Sequence, residues 1–144
     1  MKFIDSKYIP ETGISVVTIE HMGVLFYGHA YAHPEDKDTA NEYVGCTYAE
    51  IRAEIKALKY ERKILKDKCE ECRKFIRACE GYKGFDKSSP TARALYRQLN
   101  RRIKKVNQLA DEINELSRSI SKHDFQRHAF LNHIKNKKSK EDNQ

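Results

Sequence analysis

A heptad repeat between residues 51 and 79, apolar at every seam position except Arg62, is the feature that most constrains the fold. From Ile51 onward the seam positions recur at alternating steps of four and three, which predicts one long helix that packs its seam against another helix. Thr47 and Glu50 fit a capping box, so the helix is predicted to begin at Thr47, and Gly81 is expected to end it. The seam comprises Ile51, Ile55, Leu58, Arg62, Leu65, Cys69, Cys72, Ile76 and Cys79.

A second helix is predicted from Pro90, with Ser89 as its N-cap. It carries two adjacent apolar stripes, a face broader than one partner helix covers. Both helices are expected to extend for roughly 33 residues, and the short loop between them predicts an antiparallel hairpin. We therefore expect a homodimer or higher homo-oligomer built as a helical bundle. The stripes are Ala92, Tyr96, Leu99, Ile103, Val106, Ala110, Ile113, Ser117 and Ile120, and Leu95, Leu99, Arg102, Val106, Leu109, Ile113, Leu116 and Ile120.

The N-terminal section predicts β-structure. Residues 14–20 (ISVVTIE) and 24–32 (VLFYGHAYA) are β-branched or aromatic runs separated by a short turn with Gly23, which is typical of an antiparallel hairpin. The predicted class is α+β, a β-hairpin or small sheet followed by two long antiparallel helices. We assign residues 1–46 to the β-section and a polar connection, 47–122 to the helical hairpin, and 123–144 to an extension with a disordered charged tail, all in one domain.

The charge of the chain is unevenly distributed. Residues 1–46 contain three Lys and Arg against seven Asp and Glu, whereas the remainder contains 25 against 14. An anionic partner is therefore expected at the C-terminal two-thirds. No apolar run approaches the roughly 20 residues that cross a bilayer, and the first residues lack the apolar centre of a signal peptide, so a cytoplasmic location without membrane contact is expected.

Three cysteines, Cys69, Cys72 and Cys79, raise the alternatives of a metal site and of core packing. All three lie on the predicted helical seam, where a free cysteine acts as a small apolar residue, and we favour core packing. The histidines show no spacing typical of a metal or catalytic site. His21, His29 and His33 could pair with Cys46 as base and nucleophile, but nothing in their spacing indicates this, and we interpret them as surface or strand-face residues. We therefore expect no enzyme, no cofactor and no metal. The other histidines considered are His123, His128 and His133.

A basic segment at residues 82–105 is the strongest functional signal. It contains eight Lys and Arg residues but one acid, Asp86, so ion pairing along the helix cannot neutralise it. Its polar residues recur at helical spacing and share one face: Arg93, Arg97, Asn100, Arg101 and Lys104. Tyr82 and Phe85 precede this face, and cations beside an aromatic ring are typical of a nucleotide site.

Arg62 and Arg102 each interrupt an otherwise apolar stripe. An arginine buried without a partner is costly, so two alternatives remain. Each side chain extends to the edge of the bundle, or each points into a polar cavity between the helices.

The order of these parts resembles the type 1 anti-Thoeris proteins of phages. The likeness rests on residues 28–63, from the second strand run into the first helix, and on residues 85–114 around the second helix. It implies a non-enzymatic sponge that binds cyclic ADP-ribose isomers, and possible capture of cyclic oligonucleotides, to block a bacterial antiphage defence in the host cytoplasm. It also implies oligomers with pockets formed between protomers. By this resemblance Phe85 would stack on a base, Arg93, Arg97 and Arg101 would hold phosphates, and Asn100 would contact a ribose or base edge.

Two alternatives to the sponge stay open. The same basic face, with Lys104, could follow the backbone of a nucleic acid, although the acidic N-terminal section would oppose a long polyanion if it lies nearby. A ligand-free helical adaptor or inhibitor of a partner protein would leave the face in solvent or against that partner.

Overall fold

Three consecutive strands form an antiparallel sheet at the N-terminus of the chain. The computed structural model describes residues 1–31 and 42–142, and side chains as far as residue 121. The strands are β1 (Lys2–Ile9), β2 (Ile14–His21) and β3 (Val24–Tyr31), in the order β1-β2-β3. The predicted hairpin is confirmed as β2 and β3. It turns through Met22 and Gly23, whose φ angles of 55° and 74° fit a two-residue hairpin turn.

Strand β1 was not predicted from the sequence. Its residues, KFIDSKYI, alternate poorly between apolar and polar, and nearly all are exposed. Pairing with β2 makes it a strand nonetheless, with a register shift between Phe3 and Asp5. An isolated hairpin is marginal in water, and a third strand supplies part of the support that it needs.

Helix α1 (Glu42–Glu80) begins five residues before the predicted start. The capping-box prediction at Thr47 is wrong because the Thr47 hydroxyl donates to the carbonyl of Tyr43, at 2.7 Å. That bond to the residue four positions earlier is the one a threonine makes inside a helix. The connection predicted as polar over residues 33–46 is therefore helical from Glu42 onward, and its residues 33–41, with Ala32 of the predicted strand run, lie outside the described part of the chain.

The sheet packs on the first half of α1 through small residues. Ala49, Ala53 and Ala57 have no exposed surface and lie against Val17 and Ile19 of β2. The approach is so close that a Cβ atom added to Gly28 of β3 would collide with the carbonyl group of Ala49. Small side chains on both elements therefore set the distance between sheet and helix.

The free edge of β3 is capped by cations of α1. Arg52 Nη1 donates to the carbonyl oxygen of His29 at 2.6 Å, and Lys56 Nζ donates to that of Tyr27 at 2.7 Å. Unpaired carbonyl groups of an edge strand can recruit a foreign strand, and charged side chains oppose such pairing. These two cations are thus used in holding the sheet on α1.

Helix α2 (Pro90–Asp142) begins as the sequence predicts. The Ser89 hydroxyl accepts from the amide of Ala92 at 3.2 Å, and the Ser89 carbonyl accepts from Arg93 at 3.0 Å, so Ser89 is the N-cap. The helix ends 20 residues beyond the predicted position of 122 and includes residues 135–142 of the tail predicted to be disordered. No Gly or Pro follows Pro90 to interrupt it. Neither helix, over the residues described, has a segment long and apolar enough to cross a membrane.

The two helices form the predicted antiparallel hairpin. At the loop end Tyr96 donates its hydroxyl to Glu80 at 2.6 Å, which raises the pKa of Tyr96. Farther away, Leu58 packs on Leu109 and Ile113. Helix α1 thus contacts the sheet in its first half and α2 along its length, which confirms the α+β class. Assembly into an oligomeric bundle stays a prediction. The buried seam residues are Leu58, Cys69, Cys72, Ile76, Ala92, Val106, Leu109 and Ile113.

Candidate anion-binding site

The five polar residues predicted to share a face of α2 are all exposed on that helix. We call them the cationic face: Arg93, Arg97, Asn100, Arg101 and Lys104. The residues of α2 that are buried against α1, such as Ala92, Val106 and Leu109, fall on the opposite side of the helical wheel. The cationic face is therefore a solvent-exposed strip on the side of α2 away from α1.

No carboxylate neutralises the cationic face among the residues whose side chains are described. The ion pairs of that part are His21 with Glu61, at 2.7 Å, and Arg73 with Glu70, at 3.8 Å. The first turn of α2 contains no acidic residue, and Arg93 lies in it at the positive end of the helix dipole. The arginines thus keep their hydrogen-bond donors available to an external anion.

Asp86, the one acid of the basic segment, is bound within the loop. Its Oδ1 accepts from the backbone amide of Ser88 at 2.9 Å and from the Ser88 hydroxyl at 2.7 Å. These bonds, the hydroxyl first, lower the pKa of Asp86 below its ordinary value. The carboxylate serves the turn that leads into α2 and does not pair with the arginines.

The aromatic residues of the loop line a shallow hollow at the end of α1. It has a volume of about 380 Å³ and is formed by Ala78, Cys79, Tyr82, Gly84 and Phe85. Phe85 is half-buried and Tyr82 is 76% exposed. The hollow includes no residue of the cationic face, so within one protomer the structure does not bring Phe85 and the arginines into one cavity.

A second cavity was missed from the sequence. It is a groove of about 340 Å³ between the helices, and we call it the inter-helix groove: Lys66, Cys69, Glu70, Arg73, Ile103, Val106 and Asn107. The α1 residues recur at helical spacing, which is the only sequence signal for it. Their alignment with Asn107 depends on the register between two helices, which one chain's periodicity does not specify.

Arg62 and Arg102, the two arginines within apolar stripes, are both half-buried. The Nε atom of Arg62 is buried and has no hydrogen-bond partner among the described residues. Neither arginine lines the hollow or the inter-helix groove. The two alternatives raised by the sequence therefore stay open.

The exposure of the cysteine and histidine side chains tests part of their interpretation from the sequence. Cys69 and Cys72 are 4% and 9% exposed and pack within the seam, as core packing predicts, and Cys79 is half-buried. His29 is exposed, whereas His21 is half-buried and bonded to Glu61, so it has a structural role that the sequence did not indicate. His33 and the side chains of His123, His128 and His133 lie outside the described residues. The described residues contain no group of three or more metal-binding side chains.

Comparisons of the chain with protein-family models, with curated proteins and with solved structures found no match. The resemblance to the anti-Thoeris proteins therefore rests on the sequence pattern quoted above and stays a prediction.

Proposed function

We propose that the protein is a non-enzymatic binding protein that sequesters a cyclic nucleotide second messenger, a cyclic ADP-ribose isomer or a cyclic oligonucleotide, and so blocks a bacterial antiphage defence. The observation that supports the proposal is the unneutralised row Arg93, Arg97 and Arg101, with Lys104 beside it. Guanidinium groups bind phosphate oxygens through paired hydrogen bonds, and nothing in the described fold uses these groups otherwise.

The helix itself gains nothing from this row. Arg97 has arginines four residues before and four residues after it, and like charges at that spacing destabilise a helix by about 0.2–0.5 kcal/mol per pair. A surface that costs stability and has no internal partner is better explained by an external ligand than by folding. A ligand with two or more phosphates would relieve the repulsion.

The aromatic part of the site is proposed to come from a second protomer. Within one chain the hollow with Tyr82 and Phe85 and the cationic face are separate surfaces. A homo-oligomer that places the hollow of one protomer against the cationic face of its partner would supply a ring for the base and arginines for the phosphates. Such a preformed pocket limits the ordering cost on binding.

The test is stoichiometric capture and recovery. The full chain is incubated with cyclic ADP-ribose isomers, separated from free ligand, heated, and the released ligand is identified by chromatography. We expect unchanged ligand, and an Arg97→Gln/Arg101→Gln variant should bind at least about tenfold more weakly. Recovery of a linear or hydrolysed product would indicate an enzyme instead.

A matched control separates charge from position. A Lys63→Gln/Lys68→Gln variant removes the same charge from exposed sites of α1 and should leave affinity within about twofold, since screened charges at a distance contribute little. Equal weakening of binding in both double variants would mean that the total charge of the protein, and not the cationic face, determines the affinity. Absence of thermal stabilisation by every nucleotide tested would favour the ligand-free adaptor.

One observation supports the nucleic-acid alternative. The cationic face is exposed along the helix and lines neither the hollow nor the inter-helix groove, which suits an extended polyanion as well as a small ligand. Several phosphate contacts would give a steep linear fall of log K against log salt. A shallow salt slope, or an unchanged slope in Arg97→Gln/Arg101→Gln, would rule against this function.

A further inference from the structure

We propose that the inter-helix groove is a second binding site, specific for a small amphipathic anion with one flat apolar body and one acidic group such as a carboxylate or sulfonate. The groove shares no residue with the cationic face or with the loop hollow. Its proposed ligand is smaller and more apolar than a nucleotide, and the inference does not depend on the function proposed above.

The floor of the groove supplies the apolar surface. Cys69 is 4% exposed and Val106 8% exposed, and half-buried Ile103 lies beside them. A volume of about 340 Å³ is at the lower end of the range of roughly 300–1,000 Å³ typical of small-molecule sites. The volume therefore suits a small aromatic ligand.

The rim of the groove supplies the charge. Lys66 and Arg73 stand seven residues apart on α1, about 10 Å along the helix axis, with the apolar floor between them. Both have long flexible side chains that can converge on one acidic group. Lys66 makes no ion pair among the described residues, and Asn107 offers an amide from α2.

Glu70 makes the site testable because it competes with the ligand. Its Oε2 lies 3.8 Å from Nη1 of Arg73, longer than a hydrogen bond, and both side chains are nearly half exposed. Arg73 is therefore held weakly and can exchange Glu70 for the acidic group of a ligand. Removing the carboxylate of Glu70 should strengthen binding, whereas non-specific binding to an apolar patch would not respond to this substitution.

The experiment is a fluorescence titration of the full chain with 8-anilinonaphthalene-1-sulfonate, beside its uncharged analogue N-phenyl-1-naphthylamine. We expect Glu70→Gln to tighten binding of the sulfonate about threefold and Arg73→Gln to weaken it about fivefold, as for single charges within contact distance in water. The uncharged analogue should respond to neither substitution. Thermal unfolding of each variant confirms that it is folded.

Neighbouring residues provide matched controls with the same change of charge. Glu71→Gln and Lys74→Gln alter exposed residues of α1 outside the groove, and each should leave the affinity for the sulfonate unchanged. The proposal is overturned if Glu70→Gln and Glu71→Gln give equal affinities, or if Arg73→Gln and Lys74→Gln do. The Arg97→Gln/Arg101→Gln variant should not affect this titration. Failure of the groove proposal can therefore be distinguished from failure of the nucleotide-capture proposal.

Discussion

The two halves of α1 have different surroundings. The first half, from Tyr48 to Glu61, lies between the sheet and α2, with alanines that leave no exposed surface. The second half, from Leu65 to Glu80, packs on α2 with no contact to the described strands in the core clusters, and its Phe75 is 57% exposed. The same helix is thus a packed core element at one end and one wall of an open hairpin at the other.

This difference separates charges that hold the fold from charges that are available to ligands. In the first half Arg52 and Lys56 bind carbonyl groups of β3, and Glu61 binds His21. In the open half Lys66 has no ion pair among the described residues, and Arg73 has only a long one. The two binding sites that we propose therefore lie in the open half and at the start of α2.

The largest expected effect is at the contact between sheet and helix. Gly28→Val should destabilise the protein by about 3 kcal/mol or more, because its Cβ would collide with the backbone of Ala49. Urea unfolding measures the loss. The control is Gly84→Ala in the loop, where the nearest atoms to an added Cβ lie 3.8 Å away, and it should be nearly neutral. Similar losses at both positions would mean that the close approach of sheet and helix is not the cause.

A smaller loss is expected where β2 is bonded to α1. His21→Ala removes the 2.7 Å bond between Nε2 and Glu61, leaves that half-buried carboxylate without its partner, and should cost about 1–2 kcal/mol of unfolding free energy. His29→Ala, on the exposed face of β3, should change stability by less than about 0.5 kcal/mol. If the two variants unfold at the same urea concentration, His21 does not hold the sheet on the helix.

A substitution in the cationic face should raise the stability of the protein, whereas the two preceding substitutions lower it. Arg97→Gln removes repulsion from Arg93 and Arg101 and should stabilise the protein by about 0.5 kcal/mol while weakening nucleotide capture. Lys74→Gln, at a site with acids rather than arginines three and four residues before it, should not stabilise the protein. Paired thermal melts at low salt measure both changes. A loss of stability in Arg97→Gln would mean that the arginine has a structural role.

The smallest effect concerns Glu54 in the packed half and depends on pH. Burial, with the nearby charge of Glu50, raises the pKa of Glu54 above its ordinary value. A raised folded-state pKa favours the folded protein at low pH, and this contribution is lost as the pH rises through it. Glu54→Gln should therefore gain less than about 0.5 kcal/mol at pH 7.5, since solvent screens the group, and nothing near pH 4. An equal gain at both pH values would exclude ionisation of Glu54 as the cause.

Local patterns predicted much of the fold because the interactions that they encode are local. Ser89 and Pro90 mark the start of α2 through bonds within one turn, and the β-branched runs around Gly23 form the hairpin. Strand β1 and the start of α1 were missed for the complementary reason. Pairing with β2 overrides the weak strand pattern of residues 2–9, and helix propagation overrides the capping signal at Thr47.

The candidate site divides in the same way. Helical periodicity determined that Arg93, Arg97 and Arg101 share a face, because that spacing is a property of one helix. Helical periodicity could not determine whether Phe85 joins them, since the conformation of the loop places Phe85 in a hollow at the end of α1 that none of these arginines lines.

From sequence alone, then, came the period of the helices, the hairpin and the excess of positive charge, since each depends on residues that are close along the chain. The tertiary structure alone decided which cations are used by the fold and which face solvent. It also decided that Lys66 and Arg73 meet Asn107 across a groove. The reason is physical: the register between two helices and the distance between sheet and helix are set by side-chain packing among residues far apart in sequence.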